Sequence, residues 1–159
     1  MNKYILLVLM LVSCNNYHPM KQLPSVIHPF RLKPGQDLKK GIEKYVQEHH
    51  IEAGYIITCA GSLTDYNIRF ANQPEGSGGN GHFEIVSLTG TVSTHGSHIH
   101  ISISDSTGKT IGGHLLDDNI IYTTAEIVIG ESPDYIFTRE KDGSTPWEEL
   151  RVKRKDSLP

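Results

Sequence analysis

The sequence predicts an α/β (α+β) fold, a single domain in which one main helix packs on a central, largely antiparallel β-sheet. The chain has 159 residues, of which 37% are hydrophobic, and this is enough for one compact core but too little for two. One stretch shows a helical period, and most of the chain after residue 50 is strand-like. Strands that follow one another without intervening helices favour antiparallel pairing.

The helix is predicted from the segment "DLKKGIEKYVQEHH". Its apolar residues recur at steps of three and four positions: Leu38, Ile42, Tyr45 and Val46. Residues at this spacing share one face of a helix. Asp37 begins the segment, where an acidic side chain suits a helix N-terminus. The two histidines that end the segment are expected to be exposed.

Two strands are predicted next, "IEAGYIITCAG" at 51–61 and "LTDYNIRFA" at 63–71, with Gly61 ending the first. Cys59 lies among apolar residues and is expected to be a small buried hydrophobe. The segment 72–81, "NQPEGSGGNG", has no apolar residue and predicts a mobile surface loop.

The first residues, "MNKYILLVLMLVSC", predict a lipoprotein signal peptide at 1–13. Lys3 precedes an apolar run that is far shorter than the roughly 20 residues of a spanning helix. The ending "LVSC" resembles a bacterial lipobox, which implies that Cys14 becomes lipidated after cleavage. The alternative is a buried N-terminal element that carries a chance cysteine.

The segment 14–27 is predicted to be a polar tether, and 28–154 the folded domain. Lipidation of Cys14 would leave Cys59 as the only possible thiol, so no intrachain disulfide could form. The expected location is the bacterial cell envelope, with the protein lipid-anchored on the periplasmic or outer-membrane side.

The net charge argues against nucleic acid as a partner. The chain has 15 Lys and Arg against 18 Asp and Glu, a formal charge of −3. Domains that bind nucleic acid usually present a strongly basic face. Overall charge therefore gives no support to DNA binding.

The segment "HIHISISDSTGKTIGGHL" predicts a hairpin with the three-residue loop 106–108. Glycine suits the left-handed position of such a loop, and Gly108 stands there. In this register His100 lies opposite His114. One face then carries the apolar residues Ile99, Ile101, Ile103, Ile111 and Leu115. The other face carries His98, His100, Ser102, Ser104, Thr110 and His114.

Three histidines on one hairpin face predict a metal site. Opposed residues have Cβ atoms about 4.5–5.5 Å apart, so the imidazoles of His98, His100 and His114 can converge on one ion. Three nitrogen donors suit Zn²⁺, although other divalent transition metals accept them. Gly112 and Gly113 are expected to leave room for a ligand or another subunit. The alternative is a polar, solvent-facing side that happens to use histidine.

Five segments together resemble the PPC domain, the plant and prokaryote conserved domain, across about residues 28–153. They are "RLKPGQDL", "AGYIITCAGSL", "FEIVSLTGTVS", "HIHISISDSTGKTIGGHLL" and "TAEIVIG". The resemblance implies an α/β fold with a central antiparallel sheet, and a homotrimer. It also implies zinc on the His-x-His and Gly-Gly-His histidines. Plant members carry Arg-Gly-Arg-Pro segments that enter the DNA minor groove. This chain has none, so the family's DNA-binding label is disfavoured here.

Two carboxylates in apolar strands, Glu84 and Glu126, are candidate catalytic residues. Such a group must be paired, metal-bound or shifted in pKa. Each is interpreted either as a partner of a ligating histidine or a general base, or as half of a structural salt bridge, with Arg69 as a possible partner. Arg69 is also the candidate anchor for an anionic ligand. Trp147 is expected to close the core.

These observations leave three functions, in order of preference. The first is a zinc-binding module for an unknown small-molecule ligand. The second is a zinc-dependent lyase or hydrolase acting on a small polar substrate, with Glu84 or Glu126 moving a proton. The third is a DNA-binding protein, which the charge and the predicted export disfavour.

Overall fold

The structure is a computed structural model that describes residues 25–157. Its elements, in chain order, are β1 (Val26–Leu32), α1 (Leu38–Glu48), β2 (Gly54–Arg69), β3 (Ser77–Ser93), β4 (Gly96–Ser104), β5 (Thr110–Leu115), β6 (Ile120–Glu131), β7 (Tyr135–Glu140) and β8 (Glu149–Arg154), followed by a 3₁₀ turn (Lys155–Ser157). One helix and a dominant sheet confirm the predicted α+β class.

The main sheet has six strands in the order β1-β6-β2-β3-β4-β5, and every neighbouring pair is antiparallel. The last residues of β2 also pair with β5, placing Arg69 opposite His114. The sheet therefore curls back on itself at this corner. Strands β7 and β8 form a separate two-stranded sheet.

Helix α1 packs on one face of the sheet through the apolar residues that its periodic spacing predicts. Leu38 and Ile42 are fully buried, and Val46 is 1% exposed. Asp37 is the N-cap, since its Oδ1 accepts a hydrogen bond from the backbone N–H of Lys40 at 2.9 Å. This bond satisfies one of the free N–H groups of the first turn. The helix begins and packs as predicted.

Strand β2 corrects the prediction of two separate strands. It runs without a break from Gly54 to Arg69, with three register shifts against β6. A Cβ on Gly61 would lie 2.1 Å from the carbonyl oxygen of Thr124. The glycine thus permits the close approach of β6, a role that glycine also has inside strands. It does not end the strand.

The predicted loop at 72–81 is shorter than expected, because β3 begins at Ser77. Residues 77–80 pair with the end of β2. The Nδ2 of Asn80 donates to Asp65 Oδ1 at 2.8 Å, and Gly79 leaves space for the Tyr66 ring, which a Cβ would approach to 2.6 Å. Polar pairs and ring contacts hold a strand that lacks apolar residues of its own.

Cys59 is buried, with 7% of its surface exposed, as predicted. Burial raises the pKa of its thiol to about 12, because the charged thiolate loses its hydration. The thiol is therefore neutral at physiological pH and behaves as a small apolar side chain.

The N-terminal predictions concern another part of the chain. Cys14 and the segment 1–13 lie outside the described residues, as does most of the segment 14–27. Within residues 25–157, no helix combines the length and the apolar character needed to cross a bilayer.

Candidate metal centre

The β4–β5 hairpin has the predicted register. His100 lies opposite His114, and Ile103 opposite Ile111. Gly108 adopts a φ of +84°, the left-handed conformation expected of it. The loop is fixed by Asp105, whose Oδ1 accepts hydrogen bonds from the backbone N–H and the hydroxyl of Thr107.

The two faces of the hairpin separate as the alternation predicts. Ile99, Ile101 and Ile103 are each at most 3% exposed and pack in the core. His98 and His100 lie on the opposite, exposed face, and His114 is half-buried beside them. Burial of the isoleucines therefore fixes the direction of the histidines.

The three imidazoles converge. One ring nitrogen from each of His98, His100 and His114 lies within 4.8 Å of the others. The Nε2 atoms of His98 and His100 are 3.1 Å apart. The Nδ1 of His114 is buried and has no hydrogen-bond partner in the described part of the chain. Burying a ring nitrogen without a hydrogen-bond partner costs free energy, unless another group binds its lone pair or accepts its proton.

Electrostatics favour the neutral form of two of these histidines. Burial, followed by the charges of His98 and Arg69, lowers the pKa of His114 to about 4. Burial also lowers the pKa of His98, followed by the charges of His100 and Arg139. A neutral imidazole offers a lone pair, whereas an imidazolium does not.

This donor set fits a divalent transition metal. The nitrogens belong to one rigid hairpin, they lie close together, and two are poised to be neutral at pH 7. Imidazole nitrogen is a preferred ligand of zinc and is also accepted by iron, nickel and copper. His98, His100 and His114 would each hold the ion through one nitrogen.

Glycines beside the histidines allow neighbouring strands to approach closely. A Cβ on Gly90 would lie 2.1 Å from the carbonyl oxygen of His98, and one on Gly113 would lie 2.5 Å from that of Arg69. A Cβ on Gly112 would lie 2.7 Å from the Ile101 carbonyl oxygen. The space at Gly112 and Gly113, expected to admit a ligand or a subunit, is thus taken up by backbone of the same chain.

A cavity of about 690 Å³ opens beside His98 and His114. Arg69, the predicted anchor for an anionic ligand, lines it. The Arg69 guanidinium lies 5.2 Å from the centre of the Trp147 ring, a cation–π arrangement. Trp147 is 60% exposed, so the prediction that it closes the core is wrong. Its indole forms part of the cavity wall.

Glu84 and Glu126 are not brought to the histidines. Both are exposed, and neither forms an ion pair within residues 25–157. Glu84 pairs with Ser104, four residues along β4 from His100, which is about 13 Å on an extended strand. Glu126 lies on β6 opposite Ala60. The expectation that either one supports a ligating histidine therefore lacks support within the chain.

The cavity residues that went unrecognised in the sequence include Arg139 on β7 and Glu149 on β8. The Nη2 of Arg139 donates to Thr91 Oγ1 at 2.6 Å, and burial lowers the pKa of its guanidinium. Glu149 accepts a hydrogen bond from the Thr145 hydroxyl. Charged residues are ordinary in a short amphipathic hairpin, so no sequence signal marks these two.

The sequence model of one family, the Plants and Prokaryotes Conserved (PCC) domain, matches residues 22–133. The chain belongs to this family. The resemblance to the PPC domain is thereby confirmed, and β7 and β8 lie beyond the matched PCC residues.

One relative of this PCC-domain chain is a much longer protein. The chain is 38% identical over 128 residues to the "Bifunctional protein GlmU" of Synechococcus sp. (strain JA-3-3Ab), a match to 80% of this chain and 21% of that protein. The chain thus spans about a fifth of the relative's length.

Solved structures share the fold. A hypothetical protein from Salmonella cholerae-suis is 34% identical with a TM-score of 0.82, over 84% of this chain and 97% of that one. A metal-containing protein from Archaeoglobus fulgidus is 25% identical with a TM-score of 0.67, over 79% of this chain and 93% of that one. These likenesses confirm the PPC-like architecture.

Proposed function

We propose that this PCC-domain protein binds zinc through His98, His100 and His114, and that it presents the metal to a small-molecule ligand. The observation that carries the proposal is the convergence of three ring nitrogens within 4.8 Å on one hairpin face. The similarity to a metal-containing protein of the same fold supports it.

The cavity beside the triad suits a binding module. A zinc ion with three protein ligands keeps a fourth position for a ligand, and in characterised sites it acts there as a Lewis acid. The cavity has the size of a small-molecule site and adjoins two of the three histidines. A ligand in the cavity would therefore lie within reach of the metal position.

A zinc-dependent lyase or hydrolase is the second candidate. One observation favours it: Glu149 lines the same cavity, and its charge acts on His98. A carboxylate in this place can hold or move a proton at a bound substrate. Glu149 is better positioned for this role than Glu84 or Glu126, since neither of those lines the cavity.

Metal content tests the proposal directly. The protein is purified without a histidine tag, and metal is measured by elemental analysis before and after zinc addition. Wild type should hold close to one zinc per chain, and His100→Ala should lose it. His82→Ala is the matched control, since His82 is exposed and outside the triad. A wild type that takes up no zinc would overturn the proposal.

We also propose a homotrimer, which the family resemblance implies. Three large apolar side chains on neighbouring strands of the main sheet are exposed in the single chain, Ile57 at 49%, Val86 at 57% and Tyr122 at 43%. Exposed apolar patches commonly mark subunit interfaces. Light scattering at micromolar concentration should give three times the chain mass, and a monomer would contradict the assembly.

The proposed location is the bacterial envelope, with the chain anchored through lipid on Cys14. The support is the short apolar run that ends in "LVSC" and is followed by a polar segment. In a membrane fractionation, wild type should sediment with membranes and Cys14→Ala should be released. Equal partitioning of the two proteins would count against the anchor.

A further inference from the structure

The cavity beside the histidines has positively charged walls that the metal site does not explain. Arg69 reaches it from the end of β2, and Arg139 from β7. Both side chains are half-buried. No carboxylate of the described chain lies within 4.0 Å of either guanidinium. The charge of Glu149 acts on Arg139 but forms no ion pair with it. Two partly desolvated cations without an ion pair favour an external anion.

Donors remain free on both groups. One Arg139 nitrogen donates to Thr91 Oγ1, and Arg69 has no side-chain hydrogen bond within the described residues. A guanidinium offers five N–H donors in a planar fork that matches a carboxylate. Lys141 adds a third positive charge, and Glu148 and Glu149 add two negative ones, so the lining has a small positive excess.

Trp147 gives the same cavity a flat apolar wall. The Trp147 residue is 60% exposed, although tryptophan side chains are on average largely buried in folded proteins. One face of the ring lies near Arg69 at 5.2 Å. Leu116 and Pro146 add apolar surface to the lining. An aromatic wall beside guanidinium groups recognises a molecule that is planar at one part and acidic at another.

The residues that build this wall come from the β7–β8 hairpin. Arg139 lies on β7, and Trp147 lies in the segment that connects β7 to β8. The family match ends at residue 133, before this hairpin starts. The histidines therefore lie within the matched domain, whereas much of the cavity wall is supplied by a segment beyond it.

We infer that the cavity binds a small planar organic acid, with its carboxylate between Arg69 and Arg139 and its ring against Trp147. The β7–β8 hairpin is the element that selects this ligand. The inference deepens the proposed function by naming the ligand class of its site. The arginines and the indole contact the acid without the metal, so the two proposals can fail separately.

The test uses the single tryptophan of the chain. Its indole N–H gives one resolved NMR signal, which reports on this cavity alone. Benzoate is the probe, titrated into zinc-loaded and zinc-free full-length protein. Benzamide matches its ring without the charge, cyclohexanecarboxylate matches its charge without the flat ring, and inorganic phosphate tests a simple oxyanion.

Benzoate should shift the indole signal saturably, and more tightly than the three comparison compounds. Arg69→Gln and Arg139→Gln should each weaken benzoate at least about tenfold, the usual effect of losing a charge-assisted hydrogen bond. Arg69→Lys, which keeps the charge but loses the fork, should fall between. Arg151→Gln is the control, because Arg151 is exposed on β8 and outside the cavity lining.

Four outcomes decide the matter. A saturable benzoate shift that the arginine variants weaken supports the inference, even if zinc does not bind and the proposed function fails. An indole signal unmoved by millimolar benzoate overturns the inference, even where zinc is bound. Equal responses to phosphate and benzoate overturn the planar acid in favour of a general oxyanion. Equal weakening in Arg151→Gln overturns the assigned arginines.

Discussion

Two hairpins border the same cavity, and they are held in different ways. The β4–β5 hairpin buries most of one face, with Ile99, Ile101 and Ile103 in the core. The β7–β8 hairpin forms its own sheet, and large apolar residues such as Val152 and Trp147 are half or more exposed. The first is part of the core, and the second lies against it. The metal position therefore belongs to the rigid part of the molecule, and ligand selection to the less integrated part.

The β7–β8 hairpin is attached mainly through polar contacts. The backbone N–H of Phe137 donates to the Glu52 carbonyl oxygen at 2.8 Å, and Ser93 Oγ donates to the Phe137 carbonyl oxygen at 2.8 Å. Arg139 bonds to Thr91 as described above. Each such hydrogen bond contributes about 1 kcal/mol net, much less than a buried isoleucine. This difference predicts unequal responses to the same kind of change.

The largest expected difference in the free energy of unfolding is between two side-chain truncations. One removes a core side chain of the β4–β5 hairpin, and the other removes a surface side chain of the β7–β8 hairpin. Ile103 is fully buried, so Ile103→Ala should lower the free energy of unfolding by about 2–5 kcal/mol through lost burial and a cavity. Val152 is 50% exposed, and Val152→Ala should change it by less than about 0.5 kcal/mol. Urea denaturation at constant m-value measures both. Similar losses would show that the two hairpins are equally integrated.

Binding or removal of the metal should affect the two hairpins differently. Zinc at about 100 times its dissociation constant should add about 2.7 kcal/mol to folding, because it binds only the folded triad. Hydrogen exchange should slow at β4 and β5, whereas amides of β7–β8 that open locally should exchange at an unchanged rate. His114→Ala should abolish the stabilisation. Uniform slowing across both hairpins would mean that they open as one unit.

Sequence alone was sufficient for the β4–β5 hairpin, because its determinants are local. Alternation set the two faces, and Gly108 set the loop and hence the register of His100 against His114. The helix was predictable for the same reason, since Leu38 and Ile42 lie on one periodic face. These features depend on neighbours a few residues away.

The errors concern features that are decided by distant parts of the chain. Trp147 has the character of a core residue, but it lies in the segment between β7 and β8, which form a separate sheet, and its ring remains exposed. Gly61 resembles a strand end, yet it accommodates Thr124 from β6. The apolar neighbours of Glu84 suggested burial, although the side chain lies on the open face of the sheet. No local pattern encodes these placements.

Substitution of Gly113, where β5 lies against the end of β2, should have a smaller effect on stability. In Gly113→Ala the new Cβ would lie 2.5 Å from the Arg69 carbonyl oxygen, and backbone must shift to relieve the contact. We expect a loss of about 1–3 kcal/mol in the zinc-free protein. Zinc affinity should also fall, because His114 is the next residue. Both are measured by urea denaturation and zinc titration.

Gly143→Ala is the matched control in the other hairpin. Its φ is +84° and no atom lies within 4 Å of the added Cβ, so only backbone strain of about 1 kcal/mol is introduced. Zinc affinity should be unchanged. A loss of zinc affinity in this variant would show that the β7–β8 hairpin helps to position the histidines.

The smallest effect compares the two hairpin loops, which use the same hydrogen-bond pattern. Asp105 accepts from the side chain and backbone of Thr107, and Asp142 accepts from those of Ser144. These bonds lower the pKa of each carboxyl from its ordinary value. A carboxyl with a lowered folded pKa stabilises the fold above its unfolded pKa, and this contribution is lost as the pH falls through the folded value.

Thr107→Ala and Ser144→Ala should each raise the pKa of the adjacent carboxyl towards its ordinary value, as followed by carboxyl NMR titration. Because both loops are local and solvent-exposed, the two responses should match even though their hairpins differ. A response in only one loop would show that tertiary placement also affects the hydrogen bonds of the turn.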